Sequence, residues 1–202
     1  MNSVLFPLGP LETNCYLLHT DSRALIIDVG GDPAQVLDYL RQHNLTLTHI
    51  LCTHLHFDHT FGVQALIRAT GATAYASDKD RFLLEDRSMG IPPVEKYAFV
   101  NLEAGPLPLL GTTCLVLPTP GHTPGGLSFH FPEYLAVFAG DCLFYRSIGR
   151  TDFAGGDFAT LAASIRTQIF TLPGETIVYP GHGPHTGVEE EKIHNPYLGS
   201  AA

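Results

Sequence analysis

The sequence predicts an α/β fold in which short strands and helices alternate along 202 residues. Apolar, β-branched runs bounded by glycine, proline or aspartate recur along the chain and are typical of strands. Between them lie segments whose apolar residues recur at helical spacing, often with aspartate at the start. We expect these elements to form two mixed halves of a single domain spanning residues 1–202, which is long enough to bury a substantial core.

The first part of the chain is predicted to contain three strands followed by a helix. The predicted strands cover residues 4–8, 15–19 and 24–29. Asp32 is predicted to cap the helix, with Pro33 at its first position and Asn44 beyond its end. Asp28, near the end of the third strand, is interpreted as fixing a loop. The alternative, a contact with a ligand histidine, remains open.

Strands and helices continue to alternate through the rest of the chain. Further strands are predicted at residues 48–52, 73–76, 113–117, 127–131, 135–139 and 176–179. Helices are predicted at residues 60–69, ended by Gly71, at 78–85, from the cap Asp157 to Pro173, and at 188–193. Phe82 and Leu83 are predicted to face inward, as is Phe158. Residues 89–97 are predicted to form an exposed loop.

The charge balance excludes some classes of partner. The chain has 11 lysines and arginines against 20 aspartates and glutamates, a formal charge of −9 that argues against binding a nucleic-acid backbone. No apolar run approaches the roughly 20 residues needed to span a membrane. The N-terminal residues lack the pattern of a secretory signal. We therefore expect a cytoplasmic enzyme with a small-molecule substrate and with neither a nucleic-acid nor a membrane partner.

A run of potential metal ligands follows the strand predicted at residues 48–52. It contains His54, His56, Asp58 and His59 within six residues. Neutral imidazole nitrogens and carboxylate oxygens both suit divalent metal ions, so this density indicates a site for two metals side by side. The alternative interpretation is a chance cluster of histidines on a solvated loop.

Three further ligand candidates occur where other predicted strands end. His122 follows Gly121, Asp141 follows Gly140, and His182 follows a Pro-Gly pair. A single histidine or aspartate beside glycine is more often a turn residue than a ligand. Together with the run at residues 54–59, however, the three residues complete a set that two metals could share.

The run H-x-H-x-D-H resembles the signature of the metallo-β-lactamase fold superfamily, and the resemblance covers nearly the whole chain. It is strongest to the glyoxalase II (hydroxyacylglutathione hydrolase) family. The other stretches that carry it are residues 120–125, 140–141, 149–153, 180–184 and the terminal Asn-Pro-Tyr-Leu at 195–198. The resemblance implies a four-layer αβ/βα sandwich with all ligand loops on one edge of the paired sheets.

The resemblance also assigns the ligands of two divalent metal ions. It implies that His54, His56 and His122 bind the first metal, that Asp58, His59 and His182 bind the second, and that Asp141 bridges both. Zinc is the first candidate, with iron and manganese as alternatives, because sites of this donor type accept all three.

The activity implied by the resemblance is thioester hydrolysis, with S-D-lactoylglutathione converted to D-lactate and glutathione. Two adjacent metals can share a hydroxide made available near neutral pH, and Asp58 and Asp141 are the carboxylates predicted to take part in catalysis. A thiol leaving group, with a pKa of roughly 8.5, needs little help. The four cysteines are widely spaced and expected to be free. Cys142 is interpreted as a buried residue rather than a nucleophile.

Several other activities are weighed against this one. An iron-dependent persulfide dioxygenase shares much of the same frame and is the main alternative, followed by a hydrolase of another small acyl-thioester. A true β-lactamase is disfavoured because such enzymes commonly have cysteine where Asp141 stands. The acidic balance disfavours a nuclease, and the complete ligand set disfavours a binding protein with an inert site.

Substrate recognition is predicted to depend on Arg150. Full-length glyoxalase II has an added C-terminal helical domain that contacts glutathione, whereas this sequence ends 20 residues after His182. Arg150 is therefore the best local candidate to pair with a substrate carboxylate. A structural ion pair with Asp152 or Asp157 is the equally weighted alternative.

Overall fold

The computed structural model describes residues 1–85 and 97–199. The chain divides into two compact units, the first from Met1 to Leu102 and the second from Glu103 to Ala202. Each unit contains one six-stranded mixed sheet, as expected for two mixed halves. The single domain over residues 1–202 stays a prediction. Of the exposed loop predicted at residues 89–97, only Tyr97 lies within the described residues, and it is buried.

The first unit carries its sheet in the order β1-β2-β3-β4-β5-β6. Its elements are β1 (Asn2–Leu8), β2 (Thr13–His19), β3 (Arg23–Ile27), α1 (Ala34–Gln42), β4 (Thr46–Leu51), α2 (Phe57–Thr60), α3 (Val63–Thr70), β5 (Thr73–Ala76), a 3₁₀ helix (Asp78–Glu85) and β6 (Phe99–Asn101). Strands pair antiparallel from β1 to β3 and parallel from β3 to β6. The core packs Ile26 and Ile50 of the central strands with Val36 of α1 and Leu66 of α3.

The second unit carries its sheet in the order β14-β13-β10-β9-β8-β7. Its elements are β7 (Gly105–Leu109), β8 (Thr112–Pro118), β9 (Leu127–Phe131), a 3₁₀ helix (Pro132–Tyr134), β10 (Ala136–Gly140), β11 (Leu143–Phe144), β12 (Ser147–Ile148), α4 (Phe158–Ser164) continued as a π-helical turn (Ile165–Ile169), β13 (Ile177–Pro180), β14 (Thr186–Gly187) and α5 (Val188–His194). Strands β10 and β13 are parallel, and β11 and β12 form a separate hairpin. In the core of this unit, Val137 and Val178 pack with Leu161 and Ile165.

The helix predicted at residues 60–69 is present as α3 but starts later, at Val63 after Gly62, and the separate one-turn helix α2 ends at Thr60. An added Cβ on Gly62 would come within 2.1 Å of the Gly31 carbonyl oxygen, so only glycine fits there. The Gly62 amide also donates to the Val29 carbonyl at 2.8 Å. Because this bond goes to the loop after β3, the Gly62 amide does not continue the backbone ladder of α2, and the two helices stay separate. Helix α3 ends as predicted at Gly71, whose φ of 73° is left-handed.

Three details of the other helices differ from prediction. Helix α1 begins at Ala34 rather than Pro33, although the Asp32 carboxylate still accepts a hydrogen bond from the Ala34 amide. The segment predicted as a helix at residues 78–85 is 3₁₀, with three residues per turn, and Phe82 is 46% exposed while Leu83 is buried. Phe158 is exposed as well, because it lies at the first position of α4.

Several short strands were not predicted. Strand β7 contains Pro106 and Pro108, which read as breakers in a sequence, but β7 is the edge strand of its sheet, where proline is tolerated. Strands β11, β12 and β14 have two residues each and are too short for a periodic pattern. Among the described residues, no helix is long and apolar enough to cross a membrane.

Candidate metal centre

The first ligand group lies in the first unit, in the loop and helix that follow β4. It consists of His54, His56, Asp58 and His59. Ligand atoms of His54 lie within 4.8 Å of those of His56 and of His59, and the same limit holds for Asp58 with His59. His54, Asp58 and His59 are buried, and His56 is half-buried. Four residues predicted to bind metal are therefore gathered by one tight turn.

Asp28 orients two histidines of this group. Its carboxylate accepts hydrogen bonds from Nδ1 of His59 at 2.8 Å and from the amide and hydroxyl of Thr53 at 2.8 and 2.7 Å. The Thr53 hydroxyl lies 3.1 Å from Nδ1 of His54. Because Nδ1 of each histidine faces an oxygen, Nε2 is the nitrogen available to a metal. Asp28 thus fixes the loop, as interpreted, and also fulfils the alternative role.

The backbone of the loop after β3 supports the same turn. The Val29 amide donates to the His59 carbonyl at 2.7 Å. A Cβ on Gly30 would come within 1.9 Å of the Asp58 carbonyl oxygen, so the ligand helix packs on a position that only glycine can occupy. The Asp-Val-Gly-Gly stretch at residues 28–31 was the sequence signal for this support.

The second ligand group lies in the second unit and consists of His122, Asp141 and His182. Each residue follows the end of a different strand, β8, β10 or β13. Oδ2 of Asp141 is 3.6 Å from Nε2 of His122 and 3.7 Å from Nε2 of His182. One carboxylate oxygen therefore lies at nearly equal distance from two imidazole nitrogens.

A backbone carbonyl orients His122. Nδ1 of His122 lies 2.7 Å from the carbonyl oxygen of Arg150, which can only accept, so Nδ1 carries the proton and Nε2 faces Asp141. The residue before Arg150, Gly149, packs against the main chain of Asp141. An added Cβ on Gly149 would come within 1.8 Å of the Asp141 carbonyl oxygen, so only glycine fits there. No feature of the sequence predicted that Arg150 would act through its main chain.

The side chain of Arg150 has a different set of contacts. Its guanidinium donates to both carboxylate oxygens of Asp152, at 2.9 and 2.7 Å, and lies over the ring of Phe153. Hydrogen bonding to Asp152 raises the pKa of Arg150, and the same bond lowers the pKa of Asp152. Asp157 instead caps α4 by accepting from the Thr160 amide. An ion pair with Asp152 is therefore present, and substrate binding by Arg150 stays a prediction.

The donors of both groups fit divalent metal ions. They are imidazole nitrogens and carboxylate oxygens, a combination that zinc, iron and manganese accept. No thiol belongs to either group, and all four cysteines are free and buried, as expected. Burial raises the pKa of Cys142 to about 12, and the neighbouring Asp141 carboxylate acts in the same direction, so the thiol is protonated near neutral pH.

The chain is similar to a known family along most of its length. The model of the Metallo-beta-lactamase superfamily matches residues 8–182. The chain is 36% identical to hydroxyacylglutathione hydrolase GloC of Haemophilus influenzae, with 99% of each protein covered.

Solved structures show the same likeness. The BLEG-1 B3 metallo-beta-lactamase is 39% identical, with a TM-score of 0.91 and coverage of 98% of this chain and 99% of that chain. TTHA1623, solved in a di-iron-bound form, is 38% identical, with a TM-score of 0.88 over 96% and 100% of the two chains. ETHE1 from Myxococcus xanthus is 34% identical, with a TM-score of 0.79 over 97% and 84%. These likenesses confirm the predicted α/β fold class.

Proposed function

Because the chain belongs to the metallo-β-lactamase superfamily, we propose that it is a metal-dependent hydrolase of glutathione-type thioesters. Its substrate would be S-D-lactoylglutathione or a related acyl-thioester. The observation that carries this proposal is the position of Asp141, whose Oδ2 lies 3.6 and 3.7 Å from two ligand histidines. A carboxylate so placed fits one shared by two metals, and the relative GloC is a hydroxyacylglutathione hydrolase by name.

The proposed ligand sets combine the two groups. His54, His56 and His122 would bind one metal, Asp58, His59 and His182 the other, and Asp141 both. Zinc is proposed first, and the di-iron form of TTHA1623 supports iron as the main alternative. Asp58 and Asp141 would supply the negative charges that hold two cations close together.

The proposed reaction is the addition of water across the carbonyl–sulfur bond, which releases a carboxylic acid and a thiol. When bound, two divalent metals supply Lewis acidity and lower the pKa of water toward neutrality. The residues of the chain orient this chemistry: Asp28 and the Arg150 carbonyl hold the histidines with Nε2 toward the site. No side-chain nucleophile is required, which agrees with the raised pKa of the buried Cys142.

The test is an assay of the purified protein together with its metal content. We expect hydrolysis of S-D-lactoylglutathione, loss of activity on chelation, recovery with zinc or iron, and two metals per active chain. A Cys142→Ala variant serves as the control and should keep its activity. Activity on β-lactams but not on thioesters would contradict the proposal, and the BLEG-1 likeness makes that comparison necessary.

A persulfide dioxygenase is the second candidate, because ETHE1 is 34% identical over most of both chains. Oxygen uptake with glutathione persulfide, in a protein that leaves thioesters untouched, would support it. One iron per active chain, with Asp58 and His59 dispensable, would point the same way. Both candidates use His54, His56 and His122, so the second metal distinguishes them.

We also propose a cytoplasmic location and a small-molecule substrate as the only partner class. The four free cysteines support a reducing compartment. The formal charge of −9 supports the expectation that neither nucleic acid nor an anionic membrane is bound.

A further inference from the structure

The terminal stretch at residues 195–198 carries the family resemblance, yet the proposed reaction gives it no role. Asn195 is fully buried, as is Glu191 one helical turn earlier on α5. A buried carboxylate is costly unless hydrogen bonds satisfy it. The partners of Glu191 therefore indicate what it holds.

All partners of Glu191 donate to it. Its two carboxylate oxygens lie 3.2 and 3.1 Å from the Arg146 amide, which belongs to the turn between β11 and β12. The Thr186 hydroxyl donates at 2.7 Å, and Nδ2 of Asn195 donates at 2.8 Å. Nδ2 of Asn195 also donates to the Ser147 carbonyl of the same hairpin at 3.2 Å. The pair Glu191 and Asn195 thus binds two consecutive residues where the turn enters β12.

This hairpin connects two parts of the second ligand group. Strand β11 begins two residues after Asp141, and β12 leads directly to Gly149, whose amide bonds to the Cys142 carbonyl at 3.4 Å. The next residue, Arg150, offers the carbonyl that orients His122. Phe144 on β11 contacts the ring of His182 edge-on, with centroids 6.3 Å apart.

We infer that Glu191 and Asn195 are positioning residues for metal binding: by holding the β11–β12 hairpin, they fix the Arg150 carbonyl that keeps Nε2 of His122 directed at Asp141. Neither residue touches the ligands. Arg146 has a left-handed φ of 55°, so the turn needs an acceptor for its amide to hold this conformation. The inference rests on the proposed metal binding and adds residues that act on it from the C-terminal helix.

Glutamate fits this position because its two oxygens accept from the Arg146 amide, Thr186 and Asn195 at once. Glutamine has the same shape but only one acceptor oxygen, so Glu191→Gln would keep the bonds from Arg146 and Asn195 only if the Thr186 hydroxyl turned to accept from the new amide. The guanidinium of Arg146, 3.7 Å from Oε1, would also lose its charge partner there. Glu189 provides the matched control, since it is exposed on the same helix and pairs only loosely with Lys192, at 3.9 Å.

The experiment compares Glu191→Gln with Glu189→Gln in three readouts. In metal-free protein, NMR of the His122 ring nitrogens reports the Nδ1 proton, and amide exchange reports the hairpin. In a chelator competition, the zinc affinity is measured. We expect Glu191→Gln to weaken the NMR signal of the proton on Nδ1 of His122 and to speed hydrogen exchange of the Arg146 amide. Zinc affinity should fall by about tenfold, the scale typical of residues that orient metal ligands. Glu189→Gln should match the unmodified protein in all three.

A lower melting temperature with unchanged zinc affinity and unchanged His122 nitrogens would overturn the inference, because Glu191 would then be merely structural. If Glu191→Gln does not fold, Thr186→Val removes one donor to the same carboxylate and should give a smaller loss of zinc affinity. Thr186→Ser keeps the hydroxyl and should bind zinc as the unmodified protein does. Equal affinities for those two variants would also overturn it. A protein that binds neither zinc nor iron, yet whose His122 nitrogens respond to the hairpin variants, would refute the proposed function and leave the positioning of His122 intact.

Discussion

The two ligand groups are held in place by different means. In the first group, four ligand candidates lie within six consecutive residues. A single carboxylate, that of Asp28, orients His59 by a direct hydrogen bond and His54 through the Thr53 hydroxyl. In the second group, three ligand candidates come from three strand ends, and a main-chain carbonyl orients His122. A buried glutamate on a later helix accepts a hydrogen bond from the turn of the hairpin that precedes Arg150.

The difference teaches where each group is vulnerable. A substitution at Asp28 removes the orienting atoms of the first group outright. No side-chain substitution at Arg150 removes its carbonyl, so the second group can be disturbed only through its ligands or through the hairpin. The following predictions test this contrast, beginning with the largest expected effect.

The ligands of the second group should differ in importance. We expect Asp141→Ala to lower kcat by about two to three orders of magnitude, the scale for losing a preorganised charged group in an active site. His182→Ala should cost less, because Asp141 is proposed to touch both metals and His182 only one. Steady-state kinetics with metal analysis of each variant provides the comparison. Equal, small losses would count against Asp141 as the shared ligand.

Asp28→Asn should disturb the first group without touching a ligand. Asparagine has one acceptor oxygen and cannot accept from all three donors, because its amide nitrogen would face either the Thr53 amide or His59. We therefore expect metal affinity to fall by about 10- to 100-fold. Titration of the metal-free protein with zinc measures this. The matched control is Asp38→Asn, an exposed residue of α1 that pairs with Arg41. If the two variants bind zinc alike, Asp28 only fixes the loop.

Arg150→Ala should leave metal affinity unchanged, because the group that orients His122 belongs to the main chain. If the guanidinium also binds a substrate carboxylate, KM should rise several-fold for S-D-lactoylglutathione and not for a thioester that lacks the carboxylate. Kinetics on both thioesters separate these cases. Asp152→Ala, which frees the guanidinium, is the companion variant. A loss of metal affinity in Arg150→Ala would instead assign the ion pair to holding this loop.

The smallest effect is expected away from both groups, at His130 of β9. This residue is buried, and neither ring nitrogen has a hydrogen-bond partner among the described residues. Replacing a buried, unsatisfied polar group by an apolar one of similar size should be neutral or stabilising, so His130→Leu should raise the free energy of unfolding by about 1 kcal/mol. Denaturant titration of both metal-free proteins measures the difference.

The same variant should change the response to acid. Burial lowers the pKa of His130, so the folded chain binds its proton less readily than the unfolded chain, whose histidine has a pKa of about 6.5. Stability from this residue is therefore complete above about pH 6.5 and declines as the pH falls below it. The advantage of His130→Leu should grow as the pH is lowered from 7 to 5. An advantage independent of pH would mean that His130 takes up its proton equally in both states.

Local rules account for much of what the sequence predicted. The cap at Asp157, the helix stop at Gly71 and the alternation of strands with helices depend on neighbouring residues, and each is present. The ligand candidates of the first group are also local, because one turn brings four of them together. For the second group, a glycine precedes each candidate and marks the end of a strand, so the sequence could predict that each candidate follows a strand.

Other features were decided only by contacts between residues distant in the sequence. The break at Gly62 lies where its amide donates to the Val29 carbonyl instead of to a carbonyl of its own helix. The proton on His122 is placed by the Arg150 carbonyl, 28 residues away, and the turn at Arg146 by Glu191, 45 residues away. Propensity and periodicity describe a residue and its near neighbours. They contain no information on which distant main-chain atom a side chain will meet, and that depends on the packing of the whole unit.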